Sequence, residues 1–322
     1  MELDKIIETD LKMGSANQEV FADTLESLAV IDKSIIVVTS DSRGSGKLVP
    51  FGQKFPEQIV EVGIAEQNLV GVAAGLASAG KKTFAISPAC FLTARALEQI
   101  KNDVAYSDNP VKLVGISAGV SYGALGTTHH SLHDFAVLRA INNIIIVVPA
   151  DNFETEQAVL LAAKLDQPIY LRFGKKLMPF LSEENQEFEF GKGRIVREGN
   201  DLTIIANGET VYPAWQAAKA LEEKHDVAAK VVSMHTIKPL DTALLDELAA
   251  EGKPIITVEE HMVNGGLGEA CASYLFQKGA RNRFHIIGIP DEYTVTGSQG
   301  EIFKHYGISR DGILAKAEAL LK

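Results

Sequence analysis

Glu66 is the first residue whose type and position suggest chemistry. It lies near the start of the segment GIAEQNLVGVAAGLASAG at residues 63–80. From Leu69 onward this segment is small or apolar on every helical face, which predicts a buried helix. Desolvation disfavours the charge of a carboxylate in such a place, whereas the helix N-terminus favours it. Such a group could exchange a proton with a ligand, and an ordinary first-turn glutamate that caps the helix accounts for the spacing equally well.

Three histidines follow a predicted strand in the loop GVSYGALGTTHHSLHDFAVLR, residues 119–139. His129 and His133 are four residues apart and Asp134 is adjacent, a spacing that can bind a metal ion. No further acidic or cysteine ligand has a matching spacing, so hydrogen bonding or proton transfer by a loop histidine is the favoured interpretation. His130 and His133 are predicted to be surface or capping residues.

An aromatic ring and a guanidinium stand near the ends of two predicted strands. Phe91 opens the helix-length segment after the strand at 83–87, where an aromatic ring is more often part of the core than a platform for a ligand. Arg172 closes the apolar strand at 168–173, where it could bind a phosphate or pair with a carboxylate. Polar residues in the second half, for which function and packing against a partner both remain open, are Lys238, Glu260 and His261.

The elements that position these residues follow an alternating pattern. Short β-branched runs alternate with helix-length segments, and the strands from residue 83 onward are nearly continuous apolar stretches, which is typical of strands covered on both faces. We therefore predict an α/β fold with a doubly wound, mainly parallel sheet that binds ligands beyond the carboxyl ends of its strands. Residues 174–201 are charged and contain Gly and Pro, which favours a linker. The alternation then resumes, so two domains are predicted, residues 1–190 and a smaller α/β domain at residues 191–322.

Composition narrows the class of protein further. The 322 residues are 46% hydrophobic, which excludes a disordered chain, and their net charge of −11 makes a nucleic-acid partner unexpected. Two cysteines cannot build a disulfide framework, and neither a signal-peptide core nor a run of ~20 apolar residues is present. We therefore predict a cytoplasmic protein that does not enter the membrane. The stretch RGSGKL at 43–48 departs from the P-loop pattern, and no dinucleotide-binding motif follows a strand.

Five segments together resemble the C-terminal half of transketolases, in the family's order. EVGIAEQN at 61–68, with its apolar helix, is similar to the family's pyrimidine-binding segment. SPACFLTARALEQIK at 87–101 resembles its F-x-T-x-R-A-x-E-Q stretch, and GTTHH at 126–130 resembles its G-P-T-H-Q. IKPLD at 237–241 and EEH…GGLG at 259–268 resemble its third domain. Deoxyxylulose-phosphate synthases and 2-oxo acid dehydrogenase beta subunits share this layout, and the last two segments favour transketolase.

The resemblance implies a cofactor, a reaction and roles for the residues above. The cofactor is thiamine diphosphate, and the reaction transfers a two-carbon ketol unit from a ketose phosphate to an aldose phosphate. By this resemblance Glu66 hydrogen-bonds the pyrimidine ring nitrogen of the cofactor and Phe91 stacks on that ring. His129 hydrogen-bonds oxygens of the donor sugar and stabilises charge that develops there, and Arg172 binds a substrate phosphate.

The resemblance also implies a partner chain. Full-length family members carry an N-terminal domain in which a G-D-G motif and a downstream Asn hold Mg²⁺ and thiamine diphosphate, and no GDG occurs in this sequence. We therefore expect a split enzyme in which a separate N-terminal subunit provides the diphosphate site and the Mg²⁺ ligands. This chain is expected to be inactive alone and to pair with itself within an α2β2 assembly.

Two positions depart from the family's pattern. Leu125 stands where the family usually has an acidic residue, and Ser117 stands where transketolases have a phosphate-contacting His. Both bear on how the sugar is held, so an unusual or branched sugar phosphate is a candidate substrate. The alternatives are a beta-type subunit of a 2-oxo acid decarboxylating or deoxyxylulose-phosphate-synthase-like enzyme, and a non-catalytic scaffold subunit.

Overall fold

The computed structural model describes residues 11–181 and 187–322. Its strands are β1 (Met13–Ala16), β2 (Ile35–Thr39), β3 (Ile59–Glu61), β4 (Lys82–Pro88), β5 (Lys112–Ile116), β6 (Ile145–Val147), β7 (Ile169–Arg172), β8 (Leu177–Pro179), β9 (Arg194–Arg197), β10 (Leu202–Ala206), β11 (Ala229–Ser233), β12 (Thr236–Lys238), β13 (Ile255–Met262) and β14 (Phe284–Ile289). Its α-helices are α1 (Asn17–Ile31), α2 (Val49–Lys54), α3 (Glu66–Ser78), α4 (Ala89–Arg95), α5 (Leu97–Gln99), α6 (Asp134–Arg139), α7 (Asn152–Ala162), α8 (Val211–His225), α9 (Thr242–Glu251), α10 (Leu267–Gln277), α11 (Gln299–His305) and α12 (Arg310–Leu321). None of these helices is both long and apolar enough to cross a membrane.

The first sheet has its strands in the order β12-β6-β7-β5-β4-β2-β3. The inner strands β2, β4, β5 and β7 pair in parallel. All but one of their residues are buried, as the nearly continuous apolar runs of β4, β5 and β7 predict. The predicted α/β fold with a mainly parallel sheet is confirmed.

Helices cover both faces of this sheet because each has an apolar side to bury. On one face α1 contributes Phe21 and Leu25 to a core shared with α7. On the other face α3 buries Leu69, Ala73 and Ala77 against strands β2 and β4. These residues share a side of α3 with Glu66, so burying the apolar stripe also buries that carboxylate.

The second sheet has the order β14-β13-β10-β11-β9. β10 pairs in parallel with β11 and β13, whereas β9 closes one edge antiparallel to β11. Helices α8 and α12 pack on one face and α9 and α10 on the other. This is the second α/β unit expected after residue 201.

Strand pairing ties the two units together in a way that the sequence does not predict. β12 lies beyond the second unit's first strands, yet it pairs antiparallel with β6 at the edge of the first sheet. The segment 174–201, predicted as a linker, contains β8, which pairs with β1, and β9. Strands of three or four residues are too short to show a periodicity, so their partners alone reveal them.

His235 lies at this junction, directly before β12, and its burial makes a pH-dependent prediction. Its ring stacks on Phe188 with 4.3 Å between centroids. Burial, assisted by Arg194, lowers the pKa of His235 to about 3. The pKa of a histidine in the unfolded chain is about 6.5. Between about pH 6.5 and pH 3 the unfolded state therefore binds a proton at His235 and the folded state does not. Stability is therefore lost as pH falls from about 6.5 towards 3.

We expect His235→Phe to weaken this acid sensitivity while keeping the ring stack. Between pH 7 and pH 5, the variant should lose about 2 kcal/mol less unfolding free energy than the wild type. Urea titrations at the two pH values measure the difference. Equal losses in both proteins would show that His235 is not the group responsible.

Candidate active site at the carboxyl edge of the first sheet

The first sheet brings four loops to one edge. Parallel strands end at the same edge, so the segments after β7, β5 and β4 are neighbours there, and the segment after β3 lies one strand further, beyond β2. Glu66 follows β3 and Phe91 follows β4. His129 lies in the loop after β5, residues 117–133, called here the histidine loop. Residues 173–176 after β7, called here the lysine loop, carry Lys175.

Glu66 is the first residue of α3, and its side chain is only 4% exposed. Its carboxylate is held by Arg95, in the last turn of α4: one guanidinium nitrogen lies 2.9 Å from each carboxylate oxygen. The ion pair supplies the countercharge that a buried carboxylate needs. It also fixes the plane of the carboxylate, because both oxygens bond to the same group.

Arg95 connects Glu66 to the aromatic part of the site. Its guanidinium lies over the ring of Phe91, 4.2 Å from the centroid. The two residues are four apart on α4, so they lie on one side of the helix. Phe91 in turn meets the ring of His129 edge-on at 5.3 Å. The structure therefore brings together three of the predicted residues, Glu66, Phe91 and His129.

The series of contacts continues past His129 to a cation. Tyr122 meets the His129 ring edge-on at 5.6 Å, and the ammonium group of Lys175 lies 3.9 Å from the centre of the Tyr122 ring. Burial and the nearby charge of Lys47 lower the pKa of Lys175. Lys47 forms an ion pair with Glu19 at 2.9 Å, so its charge is balanced by a carboxylate, and Lys175 is the cation that ends this series.

Arg172 does not belong to this series, which corrects its predicted role as a phosphate ligand. The side chain is 4% exposed, and its Nε donates to Asp134 at 2.8 Å. A second nitrogen donates to the backbone oxygens of Ser131 and Glu260. Although burial alone would raise the pKa of Asp134, the charge of Arg172 lowers it. The guanidinium is thus used in a buried ion pair, the alternative that the sequence left open.

The other histidines of the loop also receive structural positions. His130 is buried, contrary to a surface location, and bonds Thr294 at 2.7 Å and the backbone oxygen of Gly123 at 3.0 Å. His133 precedes α6 and lies 3.3 Å from the hydroxyl of Thr93. Within residues 11–181 and 187–322, no group of three or more His, Cys, Asp or Glu residues could hold a metal ion. Nothing in the described structure therefore supports a metal site at these histidines.

The two departures from the family's pattern lie at this edge as well. Ser117 follows β5 directly, has a φ of 52° and is fully buried, and its hydroxyl has no hydrogen-bond partner among the described residues. Leu125 is 55% exposed in the histidine loop. By the family's pattern, the small hydroxyl of Ser117 thus takes the place of an imidazole, and the apolar side chain of Leu125 takes the place of a carboxylate.

The three candidates from the second half of the chain pack between the two units. Lys238 donates to backbone oxygens of Arg139 and Ile141. His261 is buried and stacks on Phe135 with 4.6 Å between centroids. Glu260 is buried beside Arg172 and accepts a backbone amide of the histidine loop.

Sequence reasoning did not single out Arg95, Tyr122 or Lys175. Arg95 had a usable signal, because an Arg four residues after an aromatic residue on a helix can stack on it. Lys175 stands only three residues after Arg172, and the direction of each side chain at the end of β7 could not be read from the sequence. The observed strand ends at Arg172 with its side chain in the core, so the next cation along the chain reaches the site.

Comparison with known proteins agrees with this arrangement. The family model of the transketolase pyrimidine binding domain matches residues 14–180, and that of the transketolase C-terminal domain matches residues 191–313. One of the subunits of the apulose-4-phosphate transketolase of Phocaeicola vulgatus is 50% identical over 304 residues, covering 94% of this chain and 96% of that protein. The corresponding protein of the same name from Actinobacillus succinogenes is 39% identical, covering 89% and 92%.

A solved structure is similar over the same extent. A split-gene transketolase, described as an inactive beta4 tetramer, superposes with a TM-score of 0.85 at 35% identity and covers 96% of this chain and 99% of that one. Both family models together account for most of the chain, in the order of its two sheets. The chain belongs to the transketolase family and contains that family's pyrimidine-binding and C-terminal domains.

Proposed function

We propose that this chain is one of the two different chains of a thiamine-diphosphate-dependent transketolase and supplies the pyrimidine side of the active site. The observation that carries the proposal is the continuous series of contacts from Glu66 through Phe91 and His129 to Lys175. A carboxylate, an aromatic ring, an imidazole and a cation then line one edge of the sheet. These groups match the successive parts of a cofactor ring, a sugar and its phosphate.

The residues present fit the pyrimidine half of thiamine diphosphate. Glu66 offers a carboxylate for a ring nitrogen, and Phe91 offers a partly exposed face for the ring itself. We propose that the diphosphate and Mg²⁺ bind to an N-terminal partner subunit, which would correspond to the family's domain with the G-D-G motif. We further propose that two copies of this chain associate within an α2β2 assembly, a proposal supported by the tetrameric relative.

Each residue then has a defined task. When bound, thiamine diphosphate supplies the carbon nucleophile that accepts and passes on a ketol unit. Glu66 shares a proton with the pyrimidine nitrogen, and Arg95 keeps its carboxylate in a fixed plane. Phe91 packs on the pyrimidine and excludes water. His129 donates a hydrogen bond to the sugar oxygen on which negative charge develops.

We propose a ketose phosphate as the donor and an aldose phosphate as the acceptor. Lys175 provides the positive charge for a phosphate, and the nearby Lys47 is paired with Glu19. Two relatives are named for apulose 4-phosphate, and Leu125 is apolar. Both observations favour apulose 4-phosphate or a similar ketose phosphate as the donor over the common pentose phosphates.

Reconstitution tests this function. The chain is purified with the candidate N-terminal subunit, Mg²⁺ and thiamine diphosphate, and apulose 4-phosphate and other ketose phosphates are supplied with an aldose phosphate. Ketol transfer that requires both chains supports the proposal. Release of CO₂ from pyruvate or a branched oxo acid would identify a decarboxylating subunit, and no turnover with any donor would favour the scaffold alternative.

Lys175→Met is expected to weaken binding of phosphorylated donors in the reconstituted enzyme. Loss of one charge-assisted hydrogen bond corresponds to about a 10- to 100-fold increase in KM. KM for the corresponding unphosphorylated ketose should not change. Lys33→Met is the matched control, since its ammonium also lies over a ring, that of Phe55, but next to the amino end of β2. An equal rise in KM for both forms of the sugar would contradict the assignment of Lys175 to the phosphate.

A further inference from the structure

A buried glutamate of the second unit accepts a hydrogen bond from the backbone of the histidine loop. Glu260, on β13, is 2% exposed, and its Oε1 accepts the backbone amide of Val120 at 2.9 Å. Its carboxylate lies where a side chain at Gly119 would otherwise be: a Cβ added there would be 2.1 Å from the Glu260 carboxyl carbon. The absence of a side chain at Gly119, which has a φ of +60°, thus admits the carboxylate to the loop backbone.

A second buried glutamate has the same relation to the lysine loop. Glu209 lies in the short turn Gly208–Thr210 and is 4% exposed. Its Oε1 accepts the backbone amide of Lys176 at 2.9 Å. A Cβ added at Gly174 would be 2.1 Å from that same oxygen. Each loop therefore has one glycine that makes room for a carboxylate and one amide that bonds to it.

Gln299, the first residue of α11, joins the two carboxylates. Its amide nitrogen lies 2.6 Å from Glu209 Oε2 and 2.8 Å from Glu260 Oε1. One side chain thus links two acids, and through them the loops that carry His129 and Lys175. All three residues belong to the C-terminal domain, whereas both loops belong to the pyrimidine-binding domain.

The charges around this pair favour one retained proton. Burial and the neighbouring Glu209 raise the pKa of Glu260 to about 7, and burial raises that of Glu209. Arg172 opposes both shifts from β7, and Lys176 opposes that of Glu209. Asp134 reduces the effect of Arg172, because it already forms the ion pair with that guanidinium. Two buried carboxylates that share one bridging amide are stable together only when not both are ionised.

We infer that Glu209, Glu260 and Gln299 are positioning residues that fix the histidine loop relative to the lysine loop. The C-terminal domain thereby helps to shape the sugar-phosphate site. The assignment of that site rests on the proposed function. The hydrogen bonds to the two loops do not, and they can be measured in this chain alone.

Amide hydrogen exchange on the full chain tests the positioning. In Gln299→Met, which removes the bridging donor at similar size, exchange at Val120 and Lys176 should accelerate about tenfold at pH 7. The matched control is Glu259→Gln, because Glu259 is also fully buried but accepts amides of Leu267 and Gly268 at the start of α10. Unchanged exchange in Gln299→Met, or equal acceleration in the control, would overturn the inference.

The pH dependence provides a readout that simple loss of packing would not give. When the loop contacts open and expose Glu260, its pKa returns towards 4.5, so the free energy of opening should fall as pH rises from about 4.5 to about 7 and level off above that. After correction for intrinsic rates, exchange of the two amides should therefore rise between about pH 5 and pH 7 in the wild type. Glu260→Gln, which stays neutral, should remove the rise. The same rise in Glu260→Gln would exclude Glu260 as its source.

Activity of the reconstituted two-chain enzyme gives the functional readout. Gln299→Met should raise KM for the ketose phosphate about tenfold with a smaller change in kcat, and Glu259→Gln should not. If the wild type shows no ketol transfer, the proposed function fails while the exchange results stand. If the exchange changes but KM does not, the loops are held as inferred and the C-terminal domain has no part in the sugar-phosphate site.

Discussion

Replacing Glu66 by Gln is expected to reduce turnover of the reconstituted two-chain enzyme by about 10³-fold or more. Gln has nearly the same shape as Glu, so the start of α3 and its apolar packing should remain. It cannot share a proton with the pyrimidine nitrogen, and it loses the ion pair with Arg95. A coupled assay of ketol transfer at saturating thiamine diphosphate measures the effect. The loss should appear in kcat, because the group acts on the reacting system.

The control for Glu66 is Glu57→Gln, an exposed glutamate in the turn Pro56–Gln58 before β3. It removes the same charge without reaching the site and should leave turnover unchanged. Unfolding temperatures of both variants should stay close to that of the wild type, which separates chemistry from folding. Turnover near the wild-type value in Glu66→Gln would remove Glu66 from the mechanism.

Replacing Arg172 by Met is expected to destabilise the chain by about 3–5 kcal/mol. The substitution leaves Asp134 ionised and fully buried without its countercharge. The backbone oxygens of Ser131 and Glu260 also lose their donor. Urea unfolding at pH 7 measures the change in the free energy of unfolding.

A double variant distinguishes an ion pair from a phosphate ligand at this place. Arg172→Met combined with Asp134→Asn removes both charges, so it should recover a substantial part of the lost stability. Neither variant should selectively raise KM for phosphorylated donors. A stable Arg172→Met protein with a rise in KM confined to phosphorylated sugars would restore Arg172 to the substrate site.

The sequence predicts those parts of the structure that depend on neighbours along the chain. Nearly continuous apolar runs predicted the inner strands β4, β5 and β7, because a strand buried on both faces has no polar side to interrupt it, and a β-branched run predicted β2. The apolar stripe of α3 placed Glu66 on a buried side, and the structure confirms that burial. The motifs around Glu66, Phe91 and His129 indicated the transketolase family, and the comparisons confirm that family.

Only the tertiary structure decided which groups meet. Whether the cation at the site is Arg172 or Lys175 depends on where β7 ends and on Asp134, which is 38 residues away and occupies the guanidinium. The pairing of β12 with β6 and the bridge from Gln299 to Glu209 and Glu260 likewise join residues distant in sequence. Local patterns record which face of an element is apolar, because that is a property of the element alone. They do not record which partner satisfies a buried charge, because the partner is set by how the two domains pack together.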